Sequence, residues 1–262
     1  MIQIKDGIIK RDAFEIKDIN LNIKPNKITG IIGKNASGKS SLLHLLTGAL
    51  PSNLIKQDNL KIGFVDENWP FKLDYSLFDI GKLTQNIETS FNPEVFNERL
   101  LEFKIEPHDI YAELSTGNQK MSLLAFALTR NPNLLILDEI LLNIDEYRKH
   151  HFKDILLKFM SQENRSVVIS TNQIDVLEDI IDDIIYLKDN KIIYNGPILD
   201  LKSNFKVLKI NHKDIDNYKN VLSTIHHDHY LEICVKEKND GTSDILDIIN
   251  HLERIDHDKI HL

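Results

Sequence analysis

The chain has 262 residues, of which 42% are hydrophobic and 27% are charged, and its formal net charge is −8. This length provides for one large domain or two modest ones with a substantial core. The acidic balance argues against broad binding to nucleic-acid phosphates, so we expect no nucleic-acid partner. No apolar run reaches the ~18 residues of a membrane span, and the N-terminus lacks the apolar core of a secretory signal. We therefore expect a protein of the cytoplasm.

The first 200 residues predict an alternation of strands and helices. Strands are predicted at residues 2–9, 16–23, 28–32, 61–65, 134–137 and 166–170, and helices at residues 40–46, 119–129 and 146–160. The Asn-Gly-Pro sequence at 195–197 predicts a turn. Continuous apolar strands that alternate with helices are typical of an α/β fold, with a largely parallel sheet covered on both faces.

Two parts of the chain depart from this alternation. Residues 67–114 predict a small helical insert, with one helix near 77–84 and another that begins with Asn92 as N-cap and Pro93 at its first position. Residues 204–262 predict a small α+β appendage. Its strands are predicted at 205–210, 231–236 and 259–262, its helices at 218–225 and 244–255, and a turn at 239–241. We therefore divide the chain into domains at 1–203 and 204–262.

Two features of the appendage have alternative interpretations. Cys234, the chain's single cysteine, lies in a predicted strand, which favours a small buried hydrophobe over a reactive thiol. The run His226-His227-Asp228-His229 offers imidazole ligands for a metal ion, or it is a solvated loop. Adjacent histidines rarely converge on one ion, so we favour the loop.

The segment between the strand at 28–32 and the helix at 40–46 fits the pattern of a phosphate-binding loop. The match to G-x-x-x-x-G-K-[ST] comprises Gly33-Lys34-Asn35-Ala36-Ser37-Gly38-Lys39-Ser40, followed by Ser41. Small residues let backbone N–H groups curl around an anion, Lys39 can reach the β- and γ-phosphates, and Ser40 offers a hydroxyl to Mg²⁺. The positive end of the helix points at the same anion. The sequence therefore predicts that the chain binds ATP or GTP.

A second motif ends the apolar strand at 134–137 with the pair Asp138-Glu139. The strand places Asp138 at the carboxyl edge of the sheet, where Mg²⁺ beside a phosphate loop is held. Glu139 is a candidate general base for the attacking water. The alternative is that both residues are solvated acids at the end of a strand. The presence of the phosphate loop favours the catalytic interpretation over this one.

A third motif precedes the helix at 119–129, namely Leu114-Ser115-Thr116-Gly117-Asn118-Gln119. Ser115 and the backbone at Gly117 stand at a helix N-terminus, either as an anion-binding arrangement or as an ordinary N-cap. The three motifs in this order, with a helical insert between the first two parts, resemble the nucleotide-binding subunit of ATP-binding cassette (ABC) transporters. Residues 114–119 resemble the family signature Leu-Ser-Gly-Gly-Gln. The resemblance covers residues 1 to about 200 and implies a P-loop NTPase fold.

The resemblance also implies how the site is completed. In the family two subunits pair head to tail, and ATP lies between the phosphate loop of one and the signature of the other. The signature residues that would contact it are Ser115, Thr116, Gly117 and Asn118. Phe14 stands where the family has an aromatic residue that stacks on adenine, although a core phenylalanine is an equal alternative. Ile144-Asp145 resembles the Leu-Asp that ends the dimer-contacting loop.

Several positions depart from the family pattern. Thr116 and Asn118 alter the signature, Ala36 replaces a frequent glycine, and Glu67 replaces the glutamine that senses Mg²⁺ and the transporter partner. Asn172 stands at the position of the switch histidine, where it donates a hydrogen bond but carries no proton near neutral pH.

These departures bear on the rate of hydrolysis rather than on binding. The resemblance implies Ser40, Asp138 and Glu67 as Mg²⁺ ligands, and Glu139 and Asn172 as catalytic residues. Glu67 adds a like charge near the triphosphate unless Mg²⁺ or a lysine offsets it. Hydrolysis is therefore expected to be slow or to depend on a partner, while Glu139 argues that it is not abolished.

Two functions follow from the resemblance. The first is an ATPase that powers a membrane transporter, by analogy an exporter, whose transmembrane part is a separate chain. We expect this chain to act there as a homodimer or heterodimer on the inner face of the membrane. A variant is a regulatory subunit that hydrolyses ATP weakly. The second is a cytosolic ABC ATPase without a transport role, although such proteins usually have two cassettes in one chain or long coiled coils.

Overall fold

The computed structural model describes residues 2–11, 14–49, 54–56, 59–66, 74–237 and 243–255. Its strands are β1 (Ile2–Arg11), β2 (Phe14–Ile23), β3 (Ile28–Ile32), β4 (Leu54–Lys56), β5 (Ile62–Val65), β6 (Leu134–Asp138), β7 (Ser166–Ser170), β8 (Asp183–Lys188), β9 (Lys191–Pro197), β10 (Phe205–Ile210), β11 (Val221–His226) and β12 (Leu231–Lys236). Its helices are α1 (Lys39–Thr47), α2 (Leu77–Ile87), α3 (Pro93–Glu102), α4 (Thr116–Thr129), α5 (Glu146–Met160), α6 (Ile174–Leu177), α7 (Ile198–Asn204) and α8 (Ile245–Leu252).

The centre of the molecule is a six-stranded sheet in the order β5-β6-β7-β3-β8-β9. The first five strands are parallel and β9 is antiparallel to β8, which confirms the mixed, largely parallel sheet of the prediction. In β6, Leu135 and Leu137 face the core that contains α4 and α5, while Leu134 and Ile136 face the core that contains α1, β1 and β2. Both faces are covered, so the strand is apolar throughout.

Two smaller antiparallel sheets flank the central one. One has the order β2-β1-β4 and the other, built from the appendage, has the order β10-β12-β11. Helix α8 buries Ile245, Ile248 and Leu252 in the core that also holds Leu177 and Ile184 of the ATPase body. The appendage therefore shares a hydrophobic core with the first 200 residues, and the domain boundary at 203/204 stays a prediction.

Most predicted helices and strands are confirmed. The predicted N-cap of α3 is also observed. Asn92 accepts hydrogen bonds from the N–H groups of Glu94, at 2.9 Å, and Val95, at 3.3 Å, with Pro93 in the first turn of α3. Cys234 is fully buried in β12, and this burial raises the pKa of its thiol to about 12. A thiol with that pKa stays protonated and packs as a small hydrophobe.

Two local predictions are wrong. Residues 218–225 do not form a helix, because β11 begins at Val221 and pairs with β12, where β-branched side chains fit the pleated surface. Residues 195–197 do not form a turn but continue β9, an edge strand that accepts Pro197. The hairpin turn is at Asp189 and Asn190, whose φ angles of 47° and 59° suit a type I′ turn.

Other predictions fall outside the described residues. These are the strand at 259–262, the turn at 239–241 and the side chain at position 67. The histidine run at 226–229 spans the end of β11 and the connection to β12, where the ring of His227 stacks on Tyr230. Across the described segments, the structure has no helix long and apolar enough to cross a bilayer.

One buried ion-pair cluster ties the start of β8 to the turn before β3. Asp183 is buried and lies 2.8 Å from the Nζ atom of Lys27 and 3.0 Å from that of Lys24. Burial by itself raises the pKa of Asp183, but the hydrogen bonds from Lys27 and Lys24 outweigh burial and hold the pKa below its usual value.

A lowered pKa makes this cluster a pH-dependent source of stability. Its contribution is present above the unfolded-state pKa of about 4 and is lost as the pH falls through the lower folded-state value. We expect Asp183→Asn to lower the free energy of unfolding by about 1–2 kcal/mol at neutral pH, measured by urea unfolding. The difference in the free energy of unfolding between Asp183→Asn and the wild type should become smaller at acid pH. Glu15→Gln, which breaks the exposed pair with Lys17, is the control and changes little. An equal deficit at neutral and acid pH contradicts this account.

Candidate nucleotide-binding site

The phosphate loop joins β3 to α1 and is shaped by its small residues. A Cβ atom at Gly33 would lie 2.4 Å from the carbonyl oxygen of Leu187 and 2.6 Å from Oγ of Ser37, so only glycine fits. Ala36 and Gly38 adopt φ angles of 63° and 103°, which curl the backbone. Gly38 is the N-cap of helix α1 and offers no side chain to cap it. Its first N–H groups are therefore available to an anion.

Lys39 reaches back into this loop. The side chain is buried, and Nζ donates to the carbonyl oxygens of Gly33, at 2.9 Å, and Lys34, at 3.1 Å. The same Nζ lies 3.1 Å from Oε1 of Glu139. The structure thus brings the lysine of the first motif and the glutamate of the second into direct contact.

The second motif is oriented by Ser170, a residue that the sequence analysis did not single out. Ser170 ends β7 and is fully buried. Its hydroxyl donates to Oδ1 of Asp138 at 2.5 Å and accepts from the N–H of Glu139 at 2.9 Å. Asp138 and Ser170 are register partners in the parallel pair of β6 and β7. The only available signal was that both residues end predicted strands of one sheet.

These side chains open onto a cavity of about 350 Å³. Its lining includes Asn35, Ser40, Asp66, Asp138 and Glu139. Hydroxyl and carboxylate oxygens are the ligands that Mg²⁺ prefers, so Ser40, Asp138 and Asp66 fit such an ion. Asp66 was not predicted as a ligand, and the predicted Glu67 lies outside the described residues.

Asn172 contacts the phosphate loop directly. Its Nδ2 donates to Oδ1 of Asn35 at 2.7 Å, which places the predicted switch position beside the loop. A carboxamide donates and accepts hydrogen bonds but does not titrate near neutral pH. Asn172 can therefore donate a hydrogen bond to a phosphate beside the loop, but it cannot exchange a proton with that phosphate.

The signature segment forms the start of α4 and contacts Arg148 of α5. Ser115 caps the helix by accepting from the N–H of Asn118 at 3.3 Å. Arg148 donates from Nη2 to Oδ1 of Asn118 at 2.7 Å and from Nη1 to Asp145. A Cβ atom at Gly117 would lie 3.1 Å from Cδ of Arg148. Among the described residues, these hydrogen bonds direct the signature towards α5 rather than towards the phosphate loop of the same chain.

A lysine connects the signature helix with the second motif. Lys120, buried in α4, donates to the carbonyl oxygens of Glu139, at 3.0 Å, and Leu142, at 2.7 Å. Glu139 itself has a φ angle of 44°, in the left-handed region that few non-glycine residues adopt. Lys120 is a second positioning residue that the sequence analysis missed, because nothing in the local pattern links residue 120 with the loop at 139–142.

The sequence profile of the ABC transporter family matches residues 16–141. This span includes the phosphate loop, the signature segment and the Asp138-Glu139 pair. Over these residues the chain belongs to the ABC transporter family. As an ABC cassette it binds nucleotide and is an ATPase.

Curated relatives of the cassette carry related names. It is 25% identical over 202 residues to the ABC transporter ATP-binding protein YtrB of Bacillus subtilis, an alignment that covers 72% of this chain and 69% of the relative. It is 26% identical over 196 residues to an uncharacterised ABC transporter ATP-binding protein of Methanocaldococcus jannaschii, with 72% and 74% of the two chains covered.

Solved structures show the same fold. A dimeric, post-hydrolysis state of the ATP-binding cassette MJ0796 with bound ADP and Pi is 22% identical and superposes with a TM-score of 0.65, over 76% of this chain and 99% of that one. An inward-facing metal-chelate type ABC transporter is 18% identical, with a TM-score of 0.67 over 91% and 98% of the two chains. At these identities the likeness establishes the fold alone.

Two further sets of predicted nucleotide contacts are the serines at the start of α1 and Phe14. Ser40 and Ser41 lie in the first turn of α1, next to Lys39. The backbone of Phe14 begins β2, where it pairs with Arg11. Its side chain is outside what the structure describes, so its stacking on adenine stays a prediction.

Proposed function

We propose that this cassette powers a membrane transporter as a peripheral ATPase on the cytoplasmic face, with the transmembrane part on a separate chain. The observation that carries the proposal is the division of the site. The phosphate loop lines one cleft with Asp138 and Glu139, and Asn172 contacts the loop through Asn35. The signature segment is instead bound to α5, through the hydrogen bonds from Arg148 to Asn118. A complete ATP site then requires the signature of a second cassette, either a copy of this chain or a related one.

The contact between Lys39 and Glu139 suggests how hydrolysis is linked to binding. The ammonium of Lys39 lies 3.1 Å from the Glu139 carboxylate and neutralises it. When phosphates attract Lys39, Glu139 is released, and Ser170 still holds the backbone at this position. Glu139 then accepts a proton from water as the water oxygen bonds to the γ-phosphorus, and the bond to the leaving ADP oxygen breaks.

We propose Mg²⁺ as the accompanying ion, held by Ser40 and Asp138 with Asp66 nearby in the cleft lining. When bound, the ion neutralises charge on the phosphate oxygens. Ser170 donates to Oδ1 of Asp138, so we propose the other carboxylate oxygen as the one that would hold the ion. The predicted ligand Glu67 stays a prediction.

The helical insert is the proposed docking surface for the membrane partner. Helix α2 exposes Leu83 and, at 81% of its surface, Ile87, while Leu101 is exposed on α3. Leu83 and Ile87 are four positions apart and share one face of α2, and a contiguous exposed apolar face is typical of a surface that a partner covers. Export as the direction of transport rests only on the appended C-terminal unit, by analogy.

Two alternatives compete with this proposal. Asn172 and the altered signature residues Thr116 and Asn118 favour a regulatory cassette with little turnover of its own. A cytosolic ABC ATPase without a transport role is the other alternative, and the exposed apolar surface of the insert speaks against it. ATPase activity of the chain alone, compared with activity beside its membrane partner, separates the regulatory cassette from the motor.

A charge on the insert is expected to disrupt partner binding. We expect Ile87→Glu to abolish co-purification of the tagged chain with a multi-spanning polypeptide from detergent-solubilised membranes, because a carboxylate is costly to bury at an apolar contact. Leu199→Glu is the matched control, since Leu199 is 73% exposed on α7, outside the insert. Mass spectrometry of the bound polypeptides is the measurement. Equal recovery with both variants would contradict docking through the insert.

A further inference from the structure

The last turn of α8 lies against the phosphate loop. Glu253 follows this helix directly, and its Oε2 lies 3.0 Å from Nζ of Lys34, a residue of the loop. Its other carboxylate oxygen accepts from the hydroxyl of Tyr186 at 2.6 Å. Tyr186 is buried in β8 and is the register partner of Ile32, the residue that leads into the loop. One carboxylate thus bridges the appendage, the central sheet and the phosphate loop.

Helix α8 is held firmly in this position. Lys188 donates from Nζ to the carbonyl oxygens of Leu252, at 3.3 Å, and Ile255, at 2.5 Å, which ties β8 to the end of the helix and the turn after it. On the other side His251 is completely buried, with Nδ1 2.7 Å from Oγ of Ser223 and Nε2 3.3 Å from the carboxylate of Glu232. The helix therefore links the appended sheet mechanically with the loop.

The position of Glu253 has an electrostatic consequence for nucleotide binding. Together with Lys34, Asn35 and Asn172 it lines a cavity of about 540 Å³ beside the loop. The carbonyl oxygen of Lys34 is one of the two loop carbonyls that accept a hydrogen bond from Lys39. A carboxylate here neutralises the ammonium of Lys34 and adds negative charge next to the place where a polyanion must bind.

We propose that Glu253 is an affinity-setting residue of the ATPase, through which the C-terminal helix restrains the phosphate loop and weakens ATP binding. Glu253 acts through Lys34 and is a positioning residue rather than a catalytic one. A partner that shifts α8 would free Lys34 and raise the affinity for ATP, and by linkage ATP would favour the shifted helix. The inference rests on the assignment of ATP to residues 33–40.

Two single substitutions with opposite expected effects test this proposal. In Glu253→Gln the amide oxygen still accepts from Tyr186, so the variant removes the charge and keeps the buried hydrogen bond. We expect its dissociation constant for a non-hydrolysable MgATP analogue, measured by calorimetric titration, to fall about threefold at low ionic strength, and less in high salt. Lys34→Gln leaves Glu253 unneutralised, and its dissociation constant should rise by a similar factor. In steady-state assays of Glu253→Gln, KM should fall with the dissociation constant while kcat stays nearly constant.

The controls separate this effect from structural damage. Glu102→Gln breaks a pair with Lys158 that has a similarly exposed lysine and a more exposed carboxylate, away from the phosphate loop, and should leave affinity unchanged. The double variant Lys34→Gln/Glu253→Gln should bind between the two single variants. If Glu253→Gln does not fold, Lys34→Gln alone must still weaken binding. Weaker binding in both single variants, or no change in Glu253→Gln, overturns the proposal. Loss of all binding in the wild-type chain would instead contradict the assignment of the ATP site.

Discussion

Lys39→Met is expected to raise the dissociation constant for ATP at least about 100-fold, because the variant removes the buried ammonium that the phosphate loop holds. Lys39 donates to two loop carbonyls and pairs with Glu139, so the site is built around this ammonium. Methionine has a similar length and no charge. Direct titration with ATP measures the effect.

The control for this variant is another lysine that pairs with a carboxylate. Lys149 lies in α5, and its ammonium is 2.7 Å from the carboxylate of Glu146. Lys149→Met should bind ATP as the wild type does. Affinity within about threefold of wild type in Lys39→Met would show that the phosphates bind elsewhere.

Glu139→Gln is expected to lower kcat for ATP hydrolysis by about 10²–10⁴-fold while ATP binding is retained, since the variant removes a proton acceptor and changes no loop residue. The amide also ends the ion pair with Lys39, which frees the lysine for the phosphates. Affinity should therefore stay equal or increase. Phosphate release under saturating MgATP is the measurement.

Glu146→Gln is the matched control for the catalytic carboxylate. Glu146 is an exposed acid in the first turn of α5 and does not line the cleft. Its kcat should equal that of the wild type. A Glu139→Gln chain with wild-type turnover would remove Glu139 from the role of general base.

Much of this site could be predicted because its signals are local. The phosphate loop is encoded in consecutive residues, and its strand and helix were visible as an apolar run and a periodic segment. The Asp138-Glu139 pair was visible for the same reason. The composite nature of the site followed from the resemblance of residues 114–119 to the family signature.

The rest depends on contacts between distant residues. Ser170, Lys120 and Arg148 act on the motifs across 31, 19 and 30 positions of sequence, and no local pattern marks them. The position of Glu253 beside Lys34 results from the packing of α8 on the central sheet. The misassigned β11 is a short segment without clear alternation, where pairing with β12 decides its state.

The central claim is that ATP joins two cassettes by completing a site that one chain lacks. Size-exclusion chromatography with light scattering on the Glu139→Gln chain tests it most directly. We predict a monomer without nucleotide or with ADP, a dimer with MgATP, and a monomer that still binds ATP when Ser115→Arg is added in the signature. A Glu139→Gln chain that binds ATP and stays monomeric, alone and beside its membrane partner, would contradict the account.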